Sequence, residues 1–336
     1  MSGAWVPYHL RWNKSIDRSI FIEFLTKLNA YQPVQNYSYI GFGAVHMEDF
    51  KIVHSLLGIN DLKCLEQDTY IHKRQKFNRP LACIELCNQS SGEFISDFFP
   101  ERNSIVWLDY ADPRQIGTQI REFQALLSKL QVYDVVKITL NANPNALVNQ
   151  TEVRPRTTID KEKMYQDRFN KLKSRMSGIM PQTINADMMT NTGLPIAINQ
   201  IIEYSSKQIL DGKTNRRFFP VNSFVYADSN HQMLTFTGVI LEHNQEDSFI
   251  ERTGLNNWEY FLRDINEPHK IDIPDLTLRE RMEIDSLLPC DDLERISSRL
   301  LTSNVQFDEN KEKSMSKLES YMKYYRHSPF FTKISV

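Results

Sequence analysis

The sequence has few glycines and cysteines, and its charges of the two signs nearly cancel. Its 336 residues include 11 glycines and 4 cysteines, and 40 Lys and Arg stand against 42 Asp and Glu, for a net charge of −2. Such a balance gives no overall basic field of the kind that marks many nucleic-acid binders. The cysteines form no C-x-x-C pair, which predicts a reduced, cytoplasmic protein with structural thiols.

Several sequence patterns that would indicate a membrane segment or a known catalytic site are absent. No apolar run is long enough for a transmembrane helix, and residues 1–7 do not resemble a signal peptide. The sequence contains no G-x-x-x-x-G-K-[ST], no H-E-x-x-H and no G-x-S-x-G. The histidines are scattered, and we expect no histidine–cysteine metal site.

Strand and helix patterns alternate five times between residues 37 and 140. The strand signals are short apolar runs, and each of the first four is followed by a helical pattern. The predicted strands are Tyr37–Ile40, Leu62–Leu65, Leu81–Leu86, Ser104–Leu108 and Val135–Leu140. Alternation of this kind predicts an α/β fold, with a parallel sheet and helices on both of its faces.

The second half of the chain changes character twice. Residues 151–212 are predicted to be a helical insertion, and Phe218–Tyr226 and Met233–Glu242 then form an antiparallel hairpin around a polar turn. We therefore predict one domain over residues 1–245 and a mainly helical appendage over residues 246–336. Within the appendage, Thr277-Leu278-Arg279-Glu280 has the pattern of a capping box, so a helix is expected to begin there and to run to Leu288.

Two of the rare glycines follow the first predicted strand, in Tyr39-Ile40-Gly41-Phe42-Gly43-Ala44. A strand that ends in G-x-G allows the backbone to approach a ligand closely, and the following helix N-terminus favours negative charge. Glu66 ends the second strand, where a carboxylate accepts hydrogen bonds from a ribose diol. The alternative is a tight turn beside a solvated glutamate.

Three polar residues at other strand ends are further site candidates. Asp109 ends the fourth strand, where it could orient a substrate or act as a base, or else cap the next helix, although Asp112 has the better capping position. Asn88 and Gln89 follow the third strand, where an amide could meet an adenine edge or simply lead into a loop.

This arrangement resembles the Rossmann-like S-adenosylmethionine-dependent methyltransferases, whose sheet also closes with an antiparallel hairpin. Tyr-Ile-Gly-Phe-Gly-Ala, Trp-Leu-Asp-Tyr and Ile-Pro-Asp-Leu-Thr-Leu-Arg-Glu-Arg are similar to segments of bacterial O-methyltransferase-like chains. The likeness to the common methyltransferase core covers residues 15–245, and the tail is not part of that core. The resemblance implies S-adenosylmethionine as cofactor. It implies the following site residues: Gly41, Phe42 and Gly43 at the methionine moiety, Glu66 at the ribose, Asn88 or Gln89 near the adenine, and Asp109 bordering the site of methyl transfer.

The chain also departs from the pattern of this family. No acidic residue directly precedes the glycine loop, Val45 replaces the third glycine, and no N-P-P-Y follows the fourth strand, so methylation of base amino groups is not supported. A methyl acceptor, such as a hydroxyl, is not identified.

Two other functions stay open. One is a catalytically degenerate binding partner in a bacterial assembly, such as one for phage defence, with its protein partner at the C-terminal region. The other is NAD-dependent hydride transfer, which also suits G-x-G with Glu66 but lacks G-x-G-x-x-G. Nucleic-acid contact is a separate possibility, because residues 151–175 carry eight Lys and Arg against four Asp and Glu.

Overall fold

A single mixed sheet of eight strands organises the chain. The computed structural model describes residues 11–148, 157–176, 178–212, 215–228, 231–302, 305–329 and 331. The strands are β1 (Ser38–Phe42), β2 (Asp61–Leu65), β3 (Ile84–Cys87), β4 (Ser104–Asp109), β5 (Val135–Asn141), β6 (Arg216–Asp228), β7 (His231–Glu242) and β8 (His269–Ile271). Their order across the sheet is β3-β2-β1-β4-β5-β7-β6-β8.

The pairing confirms the predicted topology. Strands β1 to β5 are parallel, β7 pairs antiparallel with β5, and β6 pairs antiparallel with β7. Val135 thus pairs with Val239, and the hairpin extends the sheet instead of forming a separate unit. The predicted α/β fold, a parallel sheet with an antiparallel hairpin at its end, is confirmed.

Helices cover both faces of this sheet. They are α1 (Trp12–Leu28), α2 (Glu48–Leu57), α3 (Thr69–Asn78), α4 (Ser91–Asp97), α5 (Ile116–Lys129), α6 (Thr158–Met176), α7 (Gly193–Leu210), α8 (Glu246–Thr253), α9 (Leu278–Asp285), α10 (Leu293–Thr302) and α11 (Lys311–Tyr324). Side chains from α1, α2 and the last four helices share one buried cluster, and those from α4 to α7 share the other. Over the described ranges, no helix is both long and apolar enough to span a membrane.

Several helix ends have the caps that their local sequence favours. Gly58 ends α2 in the left-handed region (φ 70°), and Ser90 forms a capping box with Glu93 at the start of α4. The capping box of Thr277 and Glu280 is also present, but α9 ends at Asp285 instead of Leu288. The residues that follow form tight turns before Pro289, because the residue preceding a proline is disfavoured in a helix.

The third strand begins later than predicted. Leu81 belongs to a turn, in which the backbone N–H of Ile84 donates to the Leu81 carbonyl at 3.2 Å, and β3 starts only at Ile84. This turn follows Pro80 directly, so the chain reverses before it can pair with β2. Strand β3 is therefore a short edge strand.

The C-terminal region packs onto the same core. Strand β8 pairs in parallel with β6, and Tyr321 and Tyr324 are fully buried in the cluster that contains α1. These two tyrosines therefore serve the protein's own interior. The domain boundary at residue 245 stays a prediction.

Candidate functional site

A cleft of about 630 Å³ opens at the carboxyl ends of β1, β2 and β4, beside the loop that follows β3. The sequence-predicted residues Phe42, Glu66, Gln89 and Asp109 all line it. The other lining residues are Ala44, Leu65, Gln67, Asp68, Ile71, Ser90, Ser91, Tyr110, Ala111, Asp112, Gln115, Thr118, Gln119 and Glu122. The cleft is within the usual size range of small-molecule sites.

The two glycines lie directly behind this cleft, where one of them is required by packing. A Cβ at Gly43 would lie 2.6 Å from the Cys64 sulfur and 2.7 Å from Cγ of Met47. A Cβ at Gly41 would lie 3.5 Å from the Trp107 carbonyl oxygen, which is an ordinary contact. The left-handed backbone positions in this loop belong instead to Ala44 (φ 43°) and Met47 (φ 47°).

A buried glutamine holds the glycine loop from α3. Nε2 of Gln75 donates to the Ala44 carbonyl at 2.7 Å, and Gln75 is fully buried. Sequence reasoning missed this residue. The available signal was that Gln75 follows Ile71 by four residues, so both side chains lie on the inward face of α3.

Glu66 is oriented by its own loop. Its Oε1 accepts a hydrogen bond from the Asp68 backbone N–H at 2.8 Å, and partial burial raises the pKa of Glu66. Asn88 is turned to the same loop, because its Nδ2 donates to the Glu66 carbonyl at 2.8 Å. Of the two amides predicted near an adenine, Gln89 lines the cleft and Asn88 supports its rim.

Asp109 is paired with a lysine that sequence reasoning did not select. Nζ of Lys14, on α1, lies 2.5 Å from Oδ2 of Asp109, and their side chains are only 7% and 16% exposed. The predicted cap is a separate residue, because Asp112 accepts the backbone N–H of Arg114 at 3.0 Å. Asp109 is thus free of the capping role and is presented to the cleft with a buried counter-ion.

Further charges of α1 are buried beside this pair. Asp17 accepts hydrogen bonds from Nζ of Lys137 at 2.7 Å and from the hydroxyl of Thr235 at 2.8 Å. Arg18 contacts Asp49 in the first turn of α2. The buried face of α1 is therefore ionic where it meets β5, β7 and α2.

The opposite wall of the cleft is formed by α4, α5 and the residue after β4. The hydroxyl of Tyr110 donates to Glu122, which also accepts from the Ser91 hydroxyl at 2.6 Å. Burial, reinforced by Glu122, raises the pKa of Tyr110. The rings of Tyr110 and Phe42 meet edge to face at 5.6 Å, which gives the cleft an apolar patch.

Acidic groups dominate the cleft. Its lining includes Glu66, Asp68, Asp109, Asp112 and Glu122, whereas no Lys, Arg or His is found among these lining residues. A ligand with positive charge is therefore favoured over an anionic one. In the part of the chain that the structure describes, no three His, Cys, Asp or Glu side chains are grouped so as to hold a metal ion.

Comparison with known proteins gives one match over nearly the whole chain. A family model described as "Putative O-methyltransferase" matches residues 6–336. No curated protein matches.

Solved structures resemble the fold at low identity. Trm1 from Pyrococcus horikoshii, in complex with S-adenosyl-L-methionine, is 8% identical with a TM-score of 0.42, over 70% of this chain and 57% of that chain. The chain thus spans little more than half of the Trm1 chain. A "putative O-methyltransferase" from Klebsiella pneumoniae is 10% identical with a TM-score of 0.37, over 70% of this chain and 90% of that chain. TomG, an O-methyltransferase from Streptomyces achromogenes, is 11% identical with a TM-score of 0.35, over 66% of this chain and 79% of that chain.

Proposed function

The chain belongs to this O-methyltransferase family, and we propose that it binds S-adenosylmethionine in the cleft and transfers the methyl group to a hydroxyl acceptor. The observation that carries the choice of cofactor is the charge of the cleft, which has five carboxylates and no cation among its lining residues. Two of the five, Asp109 and Asp112, are paired with Lys14 and Arg114 from outside the lining, and Glu66, Asp68 and Glu122 supply the remaining negative charge. S-adenosylmethionine has a sulfonium and an ammonium group, so a negative field attracts it. The pyrophosphate of NAD is repelled by the same field.

The proposed contacts use the residues that meet at the cleft. Glu66 receives the ribose hydroxyls, Gln89 meets the adenine edge, and Phe42 offers an aromatic surface beside Tyr110. Gly43 keeps the end of β1 close to β2 and α2, so that the backbone forms the floor of the site.

Asp109 is the proposed base of the reaction. Methyl transfer is an in-line displacement from a sulfonium, so the protein mainly positions the two reactants. A hydroxyl acceptor must also lose its proton, and a carboxylate at the end of β4 is placed to receive it. Lys14 is then a positioning residue, because its ammonium group fixes Oδ2 of Asp109 at 2.5 Å.

We also place this activity in the cytoplasm. All four cysteines are free, at positions 64, 83, 87 and 290. Unpaired thiols in this number support a reducing compartment.

Calorimetry with three ligands tests the proposal. Purified protein is titrated with S-adenosylmethionine, S-adenosylhomocysteine and NAD, and the first two are expected to bind. Glu66→Gln should weaken their binding roughly ten- to hundredfold, because a hydrogen bond to a charged group contributes about 1.5–3 kcal/mol. The matched control is Glu85→Gln, a glutamate on β3 whose side chain is 64% exposed and paired with Lys63.

Two binding results would contradict the proposed cofactor, and a third would contradict the role of Glu66. Binding of NAD without S-adenosylmethionine would indicate hydride transfer. Absence of binding by all three ligands would instead favour the alternative that the protein is a catalytically degenerate binding partner. Equal losses in both glutamate variants would show that Glu66 is not a specific contact.

A further inference from the structure

One helix beside the cleft exposes aromatic and cationic side chains together. On α3, Tyr70 is 63% exposed and Phe77 is 92% exposed. The exposed cations next to them are Lys73, Lys76 and Arg79. We call these five residues the α3 surface.

The buried side chains of α3 fix the orientation of the helix, and therefore which of its residues face the solvent. Ile71, His72 and Gln75 are buried, and Asp68 caps the helix by accepting the backbone N–H groups of Tyr70 and Ile71. The helix is thus held in one orientation. Its outward residues cannot rotate into the core, so two aromatic rings remain in water.

The charge of this surface has one sign. The segment Thr69–Asn78 contains no Asp or Glu, and Arg79 follows it immediately. A local group of cations with no acidic neighbours in the same helix attracts a polyanion.

The aromatic spacing identifies the kind of polyanion. Tyr70 and Phe77 are seven residues apart, hence roughly 10 Å along the helix at about 1.5 Å per residue. Rings at such intervals offer stacking platforms for unpaired bases, while lysines between them reach the phosphates. Paired bases inside a duplex do not expose their faces in this way.

The basic segment that the sequence singled out fits this partner less well. In α6, the exposed Lys161 and Lys163 alternate with the exposed Asp160 and Glu162, whereas the exposed Lys171 and Lys173 lie two turns further on. Acidic side chains thus stand among the cations of α6, unlike those of α3. Arg175 is used inside the protein, where it donates to backbone carbonyls of Pro113 and Leu147. The cations of α6 therefore form a mixed surface.

We propose that the α3 surface binds single-stranded nucleic acid. Asp68, just before α3, and Ile71, in its first turn, also line the cleft. A nucleic-acid strand bound to the α3 surface therefore lies at the mouth of the cleft. The carboxylates of the cleft repel the phosphates of the bound nucleic acid, which therefore stay outside the cleft and contact the lysines of α3. This inference stands without the proposed methyl transfer, because it rests on a different surface.

Fluorescence anisotropy tests this surface directly. The probes are labelled 12-nucleotide single strands of RNA and of DNA with the same mixed sequence, and a 12-base-pair duplex. Both single strands are expected to bind more tightly than the duplex. Phe77→Ala should weaken single-strand binding by roughly 5- to 150-fold, as loss of one stacked base predicts. Lys73→Gln combined with Lys76→Gln should make the slope of the logarithm of the binding constant against the logarithm of the salt concentration less steep, by about 0.7 for each lost phosphate contact.

The control is the pair Lys161→Gln and Lys163→Gln on α6, which removes equal charge elsewhere and should leave binding unchanged. Circular dichroism checks that each variant is folded. Equal losses from the α3 and α6 pairs would overturn the proposal, as would preference for the duplex or absence of binding at low salt. Competition by polyglutamate as effective as that by the single strands would instead indicate an acidic protein as the partner, and would also overturn it.

Discussion

Gly43 shows how closely β1, β2 and α2 approach one another behind the cleft. Its hydrogen atom occupies a space where a methyl group would lie 2.6 Å from the sulfur of Cys64 and 3.0 Å from the ring of Phe50. Gly41, two residues earlier and within β1, has room for a methyl group at ordinary contact distance. The two glycines of one motif therefore meet different requirements.

Alanine substitutions separate these two requirements. Gly43→Ala is expected to lower the free energy of unfolding by about 1–3 kcal/mol, because a well-packed interior must shift to admit the methyl group. Gly41→Ala is the matched control and should cost clearly less. Urea unfolding followed by circular dichroism measures both. Equal stability of the two variants would contradict the role assigned to Gly43.

At the scale of elements, α1 is attached to the sheet through ions as well as apolar contacts. Lys137 lies in the middle of β5 with its side chain 1% exposed, and its partner Asp17 is completely buried. Burial lowers the pKa of Lys137, while Asp17 acts to raise it. A buried ion pair contributes little net stability, but removal of one partner leaves an uncompensated charge.

A double-mutant cycle measures this coupling. Lys137→Met alone should destabilise the protein by about 3–5 kcal/mol, since the carboxylate of Asp17 then lacks its counter-ion. Adding Asp17→Leu should recover part of that loss, because both charges are then gone. The readout is the free energy of unfolding of the wild type, the two single variants and the double variant. Strictly additive losses would show that the two side chains are not coupled.

At the scale of the whole molecule, the C-terminal region is held through an aromatic cluster. Tyr260 stacks on Tyr324 of α11 with ring centroids 5.7 Å apart, and His269 of β8 lies 5.4 Å from the ring of Phe224. Burial, with a smaller effect of Lys323, lowers the pKa of His269 to about 4. The histidine is thus neutral in the folded protein at physiological pH.

His269 makes stability depend on pH in a defined direction. The unfolded chain protonates this histidine near pH 6.5, whereas the folded protein does so only near pH 4. The unfolded state therefore binds more protons in this window, and stability falls as the pH falls. Between pH 7 and 5, wild-type protein should lose about 2 kcal/mol that His269→Phe does not lose.

Denaturant titrations at the two pH values measure this difference. The control is His46→Asn, which removes an exposed histidine of the glycine loop and so measures the effect of losing a histidine outside the aromatic cluster. An identical pH dependence in wild type and His269→Phe would contradict the prediction.

The sequence by itself determined the α/β class, the parallel sheet with its antiparallel hairpin, and the residues at the strand ends. Apolar runs such as Ser104–Leu108 can be buried on both faces only in a sheet covered by helices, and this fixes Glu66 and Asp109 at one edge. Those inferences depend on local periodicity, which a single sequence contains.

The tertiary structure alone decided which partners these residues receive. Lys14 and Asp109 are 95 residues apart in the chain, and Gln75 meets the Ala44 carbonyl across 31 residues. No periodicity encodes such pairs, because they depend on how α1 and α3 pack against the sheet. The same packing turns Phe77 outward, which a helical pattern cannot distinguish from an inward position until its neighbours are known.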